Sequence, residues 1–190
     1  MSWNLPNLLT WLRILAIPLV VLLFLIGGHH PRGAAYPLAG VLFALAALTD
    51  TLDGYLARRL GQITPLGAFL DPVADKLIVA AALVLIVSRD ARGVMVLTAT
   101  VIIGREIAIS ALREWMAGIG QRTAVAVSTI GKLKTILQMV GLSMLLFRVD
   151  LGPLPIYRIG EYLTVVAALL TLISMALYLR AAWPYLRAQA

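Results

Sequence analysis

Asp50-Thr51-Leu52-Asp53-Gly54-Tyr55-Leu56-Ala57-Arg58 and, a short interval later, Gly67-Ala68-Phe69-Leu70-Asp71-Pro72-Val73-Ala74-Asp75 decide how this chain folds. They lie at the end of one long apolar run and the start of the next, and they hold four of the nine acidic residues. If both halves are helical, Asp50 and Asp53 share a face at a spacing of three, and Asp71 and Asp75 share one at a spacing of four. Gly61 to Pro65 then supply a turn that folds the two helices back antiparallel, so that four carboxylates converge on one pocket.

Outward from this stretch the chain is apolar. Of its 190 residues 61% are hydrophobic and 13% charged, and the mean hydropathy is +0.93, values that place most of it in lipid rather than water. A spanning helix needs about 20 mostly apolar residues. Six such segments are predicted, at residues 8 to 27, 34 to 57, 66 to 88, 93 to 116, 124 to 147 and 159 to 182. They are separated by Gly27-Gly28 with Pro31, Gly61 with Pro65, Arg92-Gly93, Gly118 with Gly120, and Gly152-Pro153 with Pro155. The predicted fold is an all-α integral membrane bundle of six transmembrane helices forming one domain over residues 1–190. Trp3 to Leu9 suit a short N-terminal interfacial helix, and a plain irregular terminus fits as well. Met1-Ser2-Trp3 carries no basic cluster and no small-residue cleavage pattern follows, so the first apolar stretch reads as a retained helix.

Six spans put both termini on one side. Arg58, Arg59, Arg113, Arg122, Arg180 and Arg187 share that side, against Arg32, Arg89, Arg92, Arg148 and Arg158 on the other, a slight bias toward termini in the cytoplasm. The net charge of +7 comes from basic residues scattered among apolar runs. That distribution argues against nucleic acid as a partner and for membrane lipids and anionic substrates. The absence of cysteine removes thiolate metal sites, disulfides and a cysteine nucleophile. His29 and His30, adjacent in a predicted loop, make a poor zinc site.

Four carboxylates near a membrane cannot all remain ionised without cations. Oxygen ligands favour Mg²⁺ or Mn²⁺, and four can hold two ions about 3.5 to 4 Å apart, an arrangement that clamps a phosphate undergoing displacement. Gly54, Ala57 and Gly67 strip side-chain bulk from the facing helices, and Arg58 offers a fork of donors to phosphate oxygens. Helix packing explains the small residues equally well, and an ion pathway or structural pairs with Arg58, Arg59 and Lys76 are other uses of the acids. On the fourth segment Arg105 and Arg113, eight apart, share a face, and Lys132 and Lys134 open the fifth. A ligand that carries a phosphate needs such cations. Pairing of Arg105 with Glu106 and snorkelling of Arg113 and Lys132 are the structural alternatives.

The spacing Asp53-Gly54, two residues, Ala57-Arg58, eight residues, Gly67, three residues, Asp71, three residues, Asp75, with Asp50 ahead, resembles the full signature of the CDP-alcohol phosphotransferases. The resemblance implies that Asp50, Asp53, Asp71 and Asp75 bind two divalent ions, Mg²⁺ or Mn²⁺. It further implies that Asp53, Gly54, Ala57, Arg58 and Gly67 form the CDP-binding site, that Asp75 is the catalytic base, and that the protein is a homodimer. Asn4-Leu5-Pro6-Asn7-Leu8-Leu9-Thr10 with Arg13, Arg105 to Trp115, and Gly131-Lys132-Leu133-Lys134-Thr135 are similar to the bacterial branch of the family that makes phosphatidylglycerol phosphate. That branch implies an enzyme of the bacterial cytoplasmic membrane with its active site facing the cytoplasm. It would use CDP-diacylglycerol as donor and glycerol 3-phosphate as acceptor, with Arg105, Arg113, Lys132 and Lys134 binding the acceptor phosphate. Serine, inositol phosphate or phosphatidylglycerol, the last giving a cardiolipin synthase, are the other acceptors within the family. A carboxylate-lined proton or divalent-cation transporter is the alternative from a different class.

Overall fold

The computed structural model describes residues 5–29, 33–60, 65–121 and 129–188 and, within them, all side chains but those of residues 5–7, 9, 50–60, 65, 66, 68, 129, 130, 132 and 188. Six helices account for nearly all of these residues: α1 (Leu5–His29), α2 (Ala35–Leu60), α3 (Pro65–Arg89), α4 (Gly93–Gly118), α5 (Thr129–Phe147) and α6 (Ile156–Ala188). Their order and approximate bounds follow the apolar segments of the sequence. One difference has a physical cause. The Gly27-Gly28 pair does not break α1, because both glycines serve packing. A Cβ on Gly27 would lie 2.8 Å from the Tyr36 ring, and one on Gly28 would lie 2.5 Å from Cζ of Arg89. Leu5 to Leu9 are continuous with α1, and Trp3 and Asn4, the start of the predicted interfacial helix, lie outside the described residues.

The helices close a ring: α1 packs on α2, α2 on α5, α5 on α6, α6 on α4, α4 on α3 and α3 back on α1, while α3 also touches α2 and α5 across the middle. The core at its centre includes Phe24, Phe43, Leu83, Met95, Ile102 and Leu145, all fully buried. Where α5 packs on α6, Gly141 faces Gly160; a Cβ on Gly160 would lie 2.9 Å from the Gly141 carbonyl oxygen. Small residues let backbones meet in this way, which is how helices associate when lipid removes the hydrophobic drive between them.

Outward faces are apolar. Leu15, Leu97, Ile107 and Leu169 are each more than half exposed, the inverse of a water-soluble surface and the pattern of a membrane protein. The described parts of α1 (Thr10–His29), α4 (Gly93–Gly118) and α6 (Ile156–Arg187) are long and apolar enough to cross a bilayer. Shorter apolar stretches lie at Ala35–Thr49 of α2 and Leu133–Phe147 of α5. Tight turns close two of the loops. Gly120 (φ 78°) ends α4, with the Gln121 N–H donating to the Met116 carbonyl at 2.8 Å, a left-handed termination that suits glycine. Gly152 (φ 60°) starts the turn across which Leu151 and Leu154 exchange backbone hydrogen bonds.

Candidate active site

The site lies at the end of the bundle where α1, α3 and α5 begin and α2, α4 and α6 end. The acidic signature falls on α2 and α3, as its spacing predicts. Asp50, Asp53, Gly54, Ala57 and Arg58 lie on the last turns of α2, but their side chains lie outside the described residues, as do the Lys132 side chain and positions 61–64 of the predicted turn. Their convergence with Asp71 and Asp75 is therefore not part of the described geometry.

On α3, Gly67 and Ala74 are buried, while Asp71 and Asp75 are half-buried, one turn apart. Thr10, buried on the second turn of α1, donates its hydroxyl to Asp71 Oδ1 at 2.6 Å. That bond fixes one carboxylate oxygen and leaves Oδ2 to face elsewhere. Arg13, one turn further along α1, is also fully buried. Among the described residues no three carboxylates or imidazoles gather as a metal cluster. The two described acids nonetheless fit a hard divalent cation in donor chemistry. Both offer only oxygen, and Asp71 has the outer hydrogen-bond partner that orients a ligating carboxylate.

Asp75 opens onto a cleft of about 190 Å³ whose lining brings together Lys76 of α3, Arg105, Glu106 and Arg113 of α4, Lys134 and Gln138 of α5 and Tyr178 of α6. An adjoining cleft of about 460 Å³ shares Asp75, Arg105, Glu106 and Arg113 and reaches Asp71. Three of the four predicted acceptor-side cations thus stand in one cavity with the predicted base.

Their environment is specific. Glu106 Oε1 accepts from Arg105 Nη1 at 2.5 Å and from Lys134 Nζ at 3.2 Å, tying α4 to α5. Arg105 is 6% exposed, and its Nη2 donates to the Ser174 hydroxyl at 3.2 Å. Its Nε is buried without a hydrogen-bond partner, an unmet donor in a protein interior that leaves room for another acceptor. Arg113 Nη2 donates to the Tyr178 hydroxyl at 2.9 Å, and the Tyr178 ring lies 5.1 Å from the Arg113 guanidinium and 6.0 Å from that of Arg105. The pairing of Arg105 with Glu106, a structural alternative from the sequence, is realised, yet both also line the cleft.

Sequence reasoning missed Ser174 and Tyr178. They sit four apart on a buried face of α6 that also carries Thr171, and a polar stripe on an otherwise apolar helix is the signal that points to them. Gln138 stands in the same relation to Lys134 on α5, four residues on and also buried.

Comparison with known proteins shows the family of the chain. Residues 3–183 match the CDP-alcohol phosphatidyltransferase family. The chain is 51% identical over 185 residues (97% of this chain and 92% of the relative) to a Pseudomonas fluorescens protein named CDP-diacylglycerol–glycerol-3-phosphate 3-phosphatidyltransferase. Proteins of the same name from Salmonella choleraesuis and Shigella flexneri are 48% and 49% identical over 182 residues, covering 96% of each chain. With the match running almost from end to end and the acidic signature complete, this chain belongs to the CDP-alcohol phosphatidyltransferase family.

Proposed function

We propose that the protein transfers the phosphatidyl group of CDP-diacylglycerol to the 1-hydroxyl of glycerol 3-phosphate, releasing CMP and giving phosphatidylglycerol phosphate. The observation that carries this reading is the shared cleft of Asp75 with Arg105, Arg113 and Lys134. Among the described residues four cations, counting Lys76, face two carboxylates there, an excess of two positive charges toward an incoming anion. A phosphomonoester dianion balances that excess in a poorly solvated site, whereas serine, without net charge, leaves it standing. Lys132, whose side chain lies outside the described residues, is assigned to the same phosphate by the resemblance of the Gly131-Lys132-Leu133-Lys134-Thr135 run alone.

Asp75 receives the proton of the attacking hydroxyl, and a carboxylate so placed acts through position more than basicity. Asp50, Asp53, Asp71 and Asp75 hold two divalent ions, Mg²⁺ or Mn²⁺. Such ions, when bound, offset the negative charge of the pyrophosphate. Asp53, Gly54, Ala57, Arg58 and Gly67 line the CDP site, and Thr10 holds Asp71 in its ligating orientation. The products balance: the hydroxyl oxygen forms a bond to the lipid-bearing phosphorus, the bond from that phosphorus to the bridging oxygen breaks, and CMP leaves with the electron pair.

The reading extends to one domain of six spans in the bacterial inner membrane, assembled as a homodimer, with termini and active site on the cytoplasmic side. The six spans are supported by six helices of 19 residues or more, since 19 residues rise about 28 Å, close to the hydrocarbon thickness; the assembly and the orientation rest on the family resemblance. The test is CMP release by purified protein in detergent with Mg²⁺ or Mn²⁺, offering glycerol 3-phosphate, serine and inositol phosphate separately. Turnover with glycerol 3-phosphate alone, abolished by chelation and by Asp75→Asn, supports the reading. Absence of CMP with every acceptor overturns it.

A further inference from the structure

At its inner end the acceptor cleft is closed by Val79 of α3 and Met139 of α5, which pack into the central core. Gln138 stands beside them, one turn past Lys134 on α5, and is 4% exposed. The cations of the cleft have partners within it: Arg105 and Lys134 meet Glu106, and Arg113 meets Tyr178. The Gln138 amide makes no hydrogen bond among the described residues, yet it is not sealed in the protein as Arg105 Nε and Thr171 Oγ1 are. What remains open to it is the cleft.

A glutamine amide carries two donors and an acceptor. At this depth, a ligand that displaces solvent without meeting any of them leaves a polar group stranded against apolar neighbours. A ligand with a hydroxyl at the right place meets it. Charge cannot make that distinction, because molecules of equal charge differ there only in the position of one hydroxyl.

We infer that Gln138 receives the C2 hydroxyl of the acceptor and reads its configuration. This rests on the acceptor assigned above and adds the group that tells it from its mirror image. Both ends of that molecule are already placed, with the C1 hydroxyl at Asp75 and the phosphate on Arg105, Arg113 and Lys134. With the ends held, the two enantiomers differ only in exchanging the hydrogen and the hydroxyl on C2. One presents its hydroxyl to the Gln138 amide, and the other presents a C–H bond there. Four residues of helix rise about 6 Å, which sets position 138 beyond position 134 by roughly the length of a three-carbon backbone.

The test compares three acceptors of equal charge by CMP release: sn-glycerol 3-phosphate, sn-glycerol 1-phosphate and 3-hydroxypropyl phosphate, which lacks the C2 hydroxyl. The proteins are the parent and Gln138→Met, a change that keeps the volume and removes the amide. In the parent, kcat/KM falls about tenfold to hundredfold from sn-glycerol 3-phosphate to either analogue, the order for stranding one buried polar group. In Gln138→Met, kcat/KM for sn-glycerol 3-phosphate drops by a similar factor while that for 3-hydroxypropyl phosphate stays within about threefold, so the three acceptors become nearly equal. A residue that only packs would lower all three alike and keep their ratios, which overturns the proposal. A parent that uses 3-hydroxypropyl phosphate as well as sn-glycerol 3-phosphate overturns it without any variant. Should Gln138→Met not fold, Gln138→Asn, which withdraws the amide by one methylene, reads the same ratios with the same expected collapse, and unchanged ratios there overturn the proposal. Absence of CMP from the parent with sn-glycerol 3-phosphate sinks the proposed reaction itself, whereas turnover with unchanged ratios sinks the Gln138 assignment alone.

Discussion

The hydroxyl of Thr10 donates to Oδ1 of Asp71 at 2.6 Å, joining the start of α1 to the acidic signature across 61 positions of sequence. A carboxylate whose second oxygen is to meet a cation gains from having the first one held, because the orientation is set before binding. Thr10→Val keeps the shape and removes the donor, and Thr10→Ser restores it. The valine variant should need about tenfold more Mg²⁺ for half-maximal CMP release, within the range for loss of such an outer partner, with the serine variant near the parent. An unchanged metal titration in Thr10→Val would show that the bond serves packing alone.

Lys134 and Arg105 share Glu106, so removing one cation affects the phosphate site and the α4 to α5 tie together. Lys134→Gln should raise KM for glycerol 3-phosphate by about tenfold to a hundredfold, as for loss of one charged hydrogen bond to an anion, leaving KM for CDP-diacylglycerol within about twofold. Tyr178→Phe removes only the hydroxyl that accepts from Arg113 and should cost about threefold to tenfold in the same constant. If donor and acceptor constants rise together in Lys134→Gln, its lysine positions the whole cleft instead of the acceptor phosphate.

The parts of this molecule legible in the sequence are those with a fixed spacing. Asp71 and Asp75 fall on one turn of α3, and Arg105 and Arg113 line one cleft, because helical periodicity alone places them. Contacts between distant helices carry no such local mark. Thr10 with Asp71, Arg113 with Tyr178 and Arg92 with Glu161 are each more than sixty residues apart. Gly27 and Gly28 misled in the opposite sense. Glycine is a breaker in water-soluble loops and a packing residue in an apolar helix, and only the Tyr36 ring and the Arg89 side chain beside them distinguish the two roles here.

Gly141 and Gly160 hold α5 against α6, and the acceptor cleft is built from both helices. A methyl group at 160 would meet the Gly141 carbonyl at 2.9 Å and the Met144 Cβ at 2.8 Å, and the backbone contact cannot yield by a rotamer change. Gly160→Ala should therefore destabilise the protein by about 1 to 3 kcal/mol, the usual cost of overpacking. The separation should propagate to Lys134 and Tyr178, raising KM for the acceptor. Thermal unfolding in detergent reads the first effect and steady-state kinetics the second. A variant as stable as the parent would mean that α5 and α6 slide apart without loss.

At the opposite end of the bundle Asp90 accepts from Nε and Nη2 of Arg92 at 2.8 and 2.7 Å and from the Tyr157 hydroxyl at 2.5 Å, and Arg92 Nη2 also reaches Glu161 at 2.8 Å. The cluster ties the α3 to α4 loop to the start of α6. The Arg92 guanidinium beside Asp90 holds its carboxyl well below the usual carboxylate range, with the Tyr157 hydroxyl adding to the effect and partial burial opposing it. A carboxyl lowered on folding contributes stability in full above its unfolded value of about 4 and loses it as pH falls through the folded value. Asp90→Asn should therefore lower Tm in detergent by an amount that is constant from about pH 8 to pH 5 and narrows below about pH 4. CMP release at pH 7 should stay near that of the parent, because the cluster is remote from the site. A Tm difference that persists unchanged to about pH 3, or none at pH 7, would show that the ionised form of Asp90 is not what the folded state favours.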